Sequence, residues 1–255
     1  MDLPRRLEDY PTDIRLFLTD LYQRAVAQLS AVVARHGTQP GLSLALATAR
    51  IGFLDSEMQP VIEAMAKAAT PVACARGCGA CCTLTIEASP DEVFALTTYL
   101  ARTLSPADLA ALAVRAGAAD ARGHGLAPLD RHRLRITCPV LDPATGECLG
   151  HAARPNGCQG YFSLNLAQCQ ADHANPPQPI SQPVAAALLR DVVAAARDAV
   201  LMDAGAPRQS LELTAALVAA AAEPDAETRW LAGETVFESA SSRDNPPRLD
   251  QINTI

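Results

Sequence analysis

Eight cysteines dominate the chemistry of this chain, and they fall into two groups of four. The first is packed into nine residues, Cys74-Ala-Arg-Gly-Cys78-Gly-Ala-Cys81-Cys82; the second is spread over Cys138, Cys148, Cys158 and Cys169. Zinc, iron–sulfur clusters and Cu(I) all favour thiolate ligands, so thiols this dense point to a metal site. The competing reading is a disulfide framework or a set of buried thiols. Size argues against it, since disulfide scaffolds are typically short secreted chains and this one has 255 residues.

Composition narrows the class. Apolar residues make up 49% and aromatics only 4%, which with abundant alanine favours close-packed helices. The net charge of −7 argues against a general nucleic-acid footprint, so no nucleic-acid partner is expected. Lys67 is the single lysine; the remaining basic residues are arginines. The segment Met1-Asp-Leu-Pro-Arg-Arg lacks an apolar signal core, and no apolar run reaches membrane-spanning length. No membrane association is therefore expected, and the expected location is cytoplasmic, where clustered cysteines more often bind metal than pair.

The periodicity predicts a mainly α fold, with terminal helices around a loop-rich, cysteine-ligated core. Ile14, Phe17, Leu18, Leu21, Val26, Leu29, Val32 and Val33 recur at helical steps over 12–35. Two further helices are expected at about 43–54 and 59–69. Leu84 and Ile86 alternate with polar residues, which suggests a short extended piece. Ser89-Pro90-Asp91-Glu92 reads as a capped helix start with a capping box, and Ser105-Pro106-Ala-Asp108 as another. Residues 122–133 have no period and read as loop, as does 136–178, where prolines and glycines are frequent. Helices are expected again at about 183–203 and 209–222, the second capped by Ser210. The implied organisation is an N-terminal helical region (1–70), a cysteine domain (71–175), C-terminal helices (176–238) and a polar, disordered tail (239–255).

Within the first group, Cys78 and Cys81 have the x2 spacing that grips one metal, and Gly77 and Gly79 permit tight turns. Adjacent Cys81 and Cys82 diverge, so they suit different metals or different irons of one cluster. The candidate ligands are Cys74, Cys78, Cys81, Cys82, Cys138, Cys148, Cys158 and Cys169. They would hold an iron–sulfur cluster or zinc in one composite region that both groups share. Arg76 and Arg154 are candidates to offset the thiolate charge. His151 and His173 are secondary ligand candidates, whereas His36, His124 and His132 read as structural or solvated.

The run from Cys74 to Cys82, followed by Thr-Leu-Thr-Ile-Glu-Ala-Ser-Pro-Asp-Glu, resembles the YkgJ-type cysteine-cluster family, described as zinc- or iron-chelating domains. Cys138-Pro-Val-Leu, Gly146-Glu-Cys148 and Arg154-Pro-Asn-Gly-Cys158 extend the likeness over about 70–172. Gln159 stands where the family commonly has arginine. The resemblance implies metal chelation without an agreed reaction. Some flagellin lysine methylases carry a related cluster, so the alternative is an enzyme or accessory factor in protein modification. A third reading, radical-SAM chemistry, rests on Cys74-x3-Cys78-x2-Cys81 alone. No Gly-rich nucleotide loop and no nucleophile–base pair supports an enzyme.

Overall fold

The computed structural model describes residues 7–241. It is mainly α. Helix α1 (Thr12–His36) and α2 (Leu42–Lys67) form a long pair. A two-residue strand β1 (Glu87–Ala88) then leads into α3 (Pro90–Thr103), α4 (Pro106–Gly123) and α5 (Pro128–Arg133). Two short helices, α6 (Asn156–Gln159) and α7 (Leu166–Ala174), punctuate the second cysteine region. The long α8 (Val184–Asp203) follows, then β2 (Leu211–Glu212), α9 (Leu213–Ala222) and α10 (Ala226–Leu231). Strands β1 and β2 pair antiparallel, Glu87 with Glu212 and Ala88 with Leu211.

Several local expectations need correction. One helix, α2 (Leu42–Lys67), stands where two were expected at 43–54 and 59–69, with Pro60 inside it. Proline in a helix interior costs about 3 kcal/mol. The continuous apolar face of Leu46, Ala47, Phe53, Leu54 and Met58, all buried, outweighs that local cost. Helix α5 occupies part of the expected 122–133 loop, started by Pro128 at its first position. Helix α7 likewise breaks the expected 136–178 loop; Asn165 caps it by accepting from the N–H groups of Ala167 and Gln168. Glu212, not Ser210, caps α9, its carboxylate accepting from Ala215 N–H at 2.8 Å. Phe17 is 47% exposed despite its helical spacing. Of the expected tail, Glu238–Ala240 is a 3-10 turn and Ser241 bridges Leu211, while 242–255 lie outside the described residues.

Apolar packing forms two adjoining clusters. Leu18, Leu21, Phe53, Leu54, Leu189 and Val193 lock α1, α2 and α8 together. Trp230 anchors the other, beside Phe94 (ring centroids 5.9 Å apart), with its indole N–H donating to Pro207 C=O at 2.9 Å.

Between these clusters lies a buried charge group: Arg50 on α2, Asp91 and Glu92 on α3, and Arg197 on α8, each 6% exposed or less. Arg197 pairs with Glu92 at 2.8 Å and stands 3.8 Å from Asp91, while Arg50 stands 3.7 Å from Glu92. Glu92 completes the expected capping box by accepting from Ser89 N–H, and its other oxygen accepts from Asn156 N–H at 2.7 Å. Burial alone would raise the Glu92 carboxyl; Arg197, Arg50 and these N–H groups outweigh it and hold the pKa below the ordinary value. Removing one partner of a buried pair leaves an uncompensated charge, at about 3–5 kcal/mol. Glu92→Ala should therefore lower the unfolding free energy by about that amount in urea denaturation followed by circular dichroism, whereas Glu57→Ala, at the partly exposed pair with Arg24, should cost about 1 kcal/mol or less.

Candidate metal centre

The first cysteine group lies on an irregular segment after α2 that ends in a 3-10 turn, Ala80–Thr83. The second lies on a β-bridged turn, Leu141 opposite Cys148, and on α6 and α7, which carry Cys158 and Cys169. The two groups adjoin. Cys138 N–H donates to Cys82 C=O at 2.7 Å. Gly77 and Gly146 both take positive φ, and a Cβ on Gly146 would stand 2.8 Å from the Gly77 carbonyl oxygen. Only glycine permits both that backbone conformation and that approach. Gly79 has an ordinary φ; its missing side chain instead makes room for Leu141, 3.0 Å from where a Cβ would lie.

All eight cysteines are free thiols. Their mutual fields link them. Cys74 feels Cys81, Cys169 and Cys78; Cys82 feels Cys81, Cys138 and Cys148; Cys158 feels Cys138, Cys148 and Cys81. Cys81, which acts on Cys74, Cys82, Cys148 and Cys158, thus joins thiols from both parts of the sequence. Among the described residues, however, no three His, Cys, Asp or Glu side chains stand close enough together to ligate one ion. The thiols are gathered without being closed into a cage.

Backbone donors already address several sulfurs. Ser163 N–H donates to Cys74 Sγ at 3.3 Å, and the N–H groups of Val140 and Gly150 favour the charged forms of Cys138 and Cys148. Such N–H···S bonds favour thiolate over thiol. Burial acts against them: it pushes the Cys138 thiol up to about 11 and raises Cys74, Cys148 and Cys158. Cys81 goes the other way, down to about 7, chiefly because the Cys82 thiol donates to it, with help from Arg154. Cys82, as the donor of that bond, is raised.

The two arginines part company. Arg76 makes a two-bond pair with Glu147, both at 2.7 Å, and so clips the first cysteine segment to the turn before Cys148. Arg154 faces the thiols, favouring the charged forms of Cys81 and Cys148, and its Nε is buried without a hydrogen-bond partner. His151 contacts Arg154 at 2.5 Å; burial and that arginine lower its pKa. His173 has a buried Nδ1 without a partner.

Sequence reasoning missed the residues that hold this region to the helices. Arg50 donates to Asn156 Oδ1, Gln159 Oε1 and the Arg154 carbonyl, at 3.2, 2.9 and 2.9 Å. Gln159 Nε2 donates to Ile51 C=O and Asp55 Oδ1, both at 2.9 Å. The signal was visible only as oddities: an arginine in an apolar helix face, and glutamine where the resembled family has arginine. His132 is structural, one of the two readings its sequence allowed. It is buried, its Nδ1 2.9 Å from Thr83 Oγ1 and its Nε2 2.8 Å from Asp172 Oδ2.

The thiol chemistry can be checked directly. In metal-free, reduced protein, iodoacetamide labelling of Cys81 should rise through a midpoint near pH 7, because its thiolate forms above that value. Cys158, whose thiol burial holds protonated, should label far more slowly. Cys82→Ala removes the donor and should move the Cys81 midpoint upward. Peptide mapping by mass spectrometry reads all three.

Residues 73–176 match the family model CxxCxxCC, described as "Putative zinc- or iron-chelating domain". No curated protein and no solved structure matches the chain. The match spans both cysteine groups and stops short of α1, α2 and α8. Residues 73–176 are thus similar to a cysteine-cluster domain described as zinc- or iron-chelating, and helices α2 and α8, outside the matched residues, hold this segment in place.

Proposed function

We propose that the chain binds metal through the thiolates of Cys74, Cys78, Cys81, Cys82, Cys138, Cys148, Cys158 and Cys169, in one composite region that both cysteine groups share. The observation that carries this reading is that the two groups of free thiols adjoin, with Cys138 N–H donating to Cys82 C=O at 2.7 Å and Arg76 paired with Glu147 beside Cys148. Four thiolates are the ligand complement of a structural zinc or of a simple iron–sulfur cluster. The surroundings fit such a group. Backbone N–H groups already favour the charged forms of Cys74, Cys138 and Cys148, and the unpartnered Nε of Arg154 lies among thiols whose ionised form it favours.

Bound metal would supply the free energy that closes the gathered thiols. Ligand free energy then becomes folding free energy for a segment rich in proline and glycine and poor in regular structure. The helices have their own apolar clusters, so they do not depend on the metal in the same way. Zinc and iron–sulfur share this donor set, and colour separates them: an iron–sulfur protein prepared without oxygen is brown, a zinc protein colourless.

Anaerobic purification with elemental analysis should find bound zinc or iron at a thiolate-saturating ratio, with about four cysteines per zinc. Cys78→Ser should lower that content and raise protease cleavage within 138–172, some sixty residues away in sequence, while the helical circular dichroism persists. Full metal content and unchanged cleavage in Cys78→Ser would show that Cys78 is no ligand and that the eight cysteines are not one cooperative site.

A further inference from the structure

One buried imidazole hydrogen-bonds the segments of two cysteines and lies six residues before a third. His132 lies on α5 and is 5% exposed; Thr83 and Asp172, which flank it, are 1% and 7% exposed. Thr83 immediately follows Cys82 on the 3-10 turn. Asp172 lies on α7 one turn beyond Cys169, so both project from one helix face. Downstream of His132 the chain runs through buried Ile136 to Cys138. The hydrogen-bond lengths, 2.9 Å to Thr83 Oγ1 and 2.8 Å to Asp172 Oδ2, leave no slack.

The network fixes the tautomer. A carboxylate oxygen at Nε2 calls for the proton there, which leaves Nδ1 to accept from the Thr83 hydroxyl. Asp172 is itself held, its other oxygen accepting from Gln178 N–H at 2.7 Å. The chain Thr83–His132–Asp172 therefore has a polarity and satisfied ends, as a rigid brace requires. It also joins the two cysteine groups: Thr83 follows Cys82 of the first, while Asp172 and His132 itself flank Cys169 and Cys138 of the second.

We infer that His132, bound between Thr83 and Asp172, is a positioning residue for the metal centre, setting the relative placement of Cys82, Cys138 and Cys169. It does not ligate, since both ring nitrogens are engaged. This rests on the metal-thiolate reading above. Carboxylates and imidazoles just outside a metal's ligands are worth about tenfold to a hundredfold in metal affinity, and His132 takes that role by fixing backbone segments instead of a ligand ring.

The test is Co(II) titration of the full chain, stripped of metal and kept reduced, followed by thiolate-to-cobalt charge-transfer and d–d absorption. His132→Ala should weaken Co(II) binding about tenfold or more and alter the d–d envelope, with Co(II) uptake at saturation unchanged because all thiols remain. His132→Gln, which keeps one donor and one acceptor, should recover most of the affinity. Leu189→Ala, in the apolar cluster of α1, α2 and α8, should lower the unfolding midpoint without moving the cobalt spectrum. If His132→Ala does not fold, Asp172→Asn decides in its place. Wild-type affinity and spectrum in His132→Ala or Asp172→Asn would overturn the inference, as would an equal loss in Leu189→Ala. Wild-type protein that shows no thiolate–cobalt absorption would instead overturn the metal reading, and the brace with it.

Discussion

The buried group of Arg50, Asp91, Glu92 and Arg197 is the interaction on which the rest of the molecule depends. Two positive and two negative side chains are withdrawn from water between three helices. Such a group is weak evidence for stability by itself, because desolvation offsets most of the attraction. Its importance here lies in what it reaches. Glu92 and Arg50 together hold the backbone and side chains of Arg154, Asn156 and Gln159, the residues on either side of Cys158. A loop with few apolar anchors thereby takes its position from α2, α3 and α8. The helices outside the cysteine domain set its geometry, and cannot be read as separate from it.

That arrangement also explains the electrostatics of the thiols. Burial raises the thiols of Cys74, Cys138, Cys148 and Cys158, which disfavours their ionised forms in the metal-free protein. Ligation requires the thiolates, and a metal replaces the proton on each sulfur. The backbone N–H groups at Cys74, Cys138 and Cys148, with Arg154 nearby, reduce the cost of that exchange. Cys81 is the natural starting point, since the Cys82 thiol already stabilises its charge near neutral pH.

Much of this was legible in the sequence, for definite reasons. Helices α1, α3, α4 and α8 announce themselves by apolar period and by Ser-Pro starts, which are local signals. The continuity of α2 through Pro60 was not legible, because only burial against α1 and α8 outweighs a proline. Glu92 read correctly as a capping residue, yet its second oxygen binds Asn156, sixty-four positions on, and no local pattern carries that. The same holds for His132, which has no cysteine neighbour in sequence and meets Thr83 and Asp172 only in the fold. The cysteine spacing named the candidate ligands; that the two groups adjoin depends on long-range pairing such as Cys138 with Cys82, which no local pattern carries.

The central claim, that these thiols are metal ligands, is tested most directly by X-ray absorption at the zinc and iron edges on protein purified without oxygen. The account predicts a first shell made of sulfur alone, about four atoms per metal at about 2.3 Å for zinc, or sulfur with a short iron–iron vector for a cluster. A first shell of nitrogen and oxygen, in protein whose eight cysteines all remain open to alkylation, would contradict it.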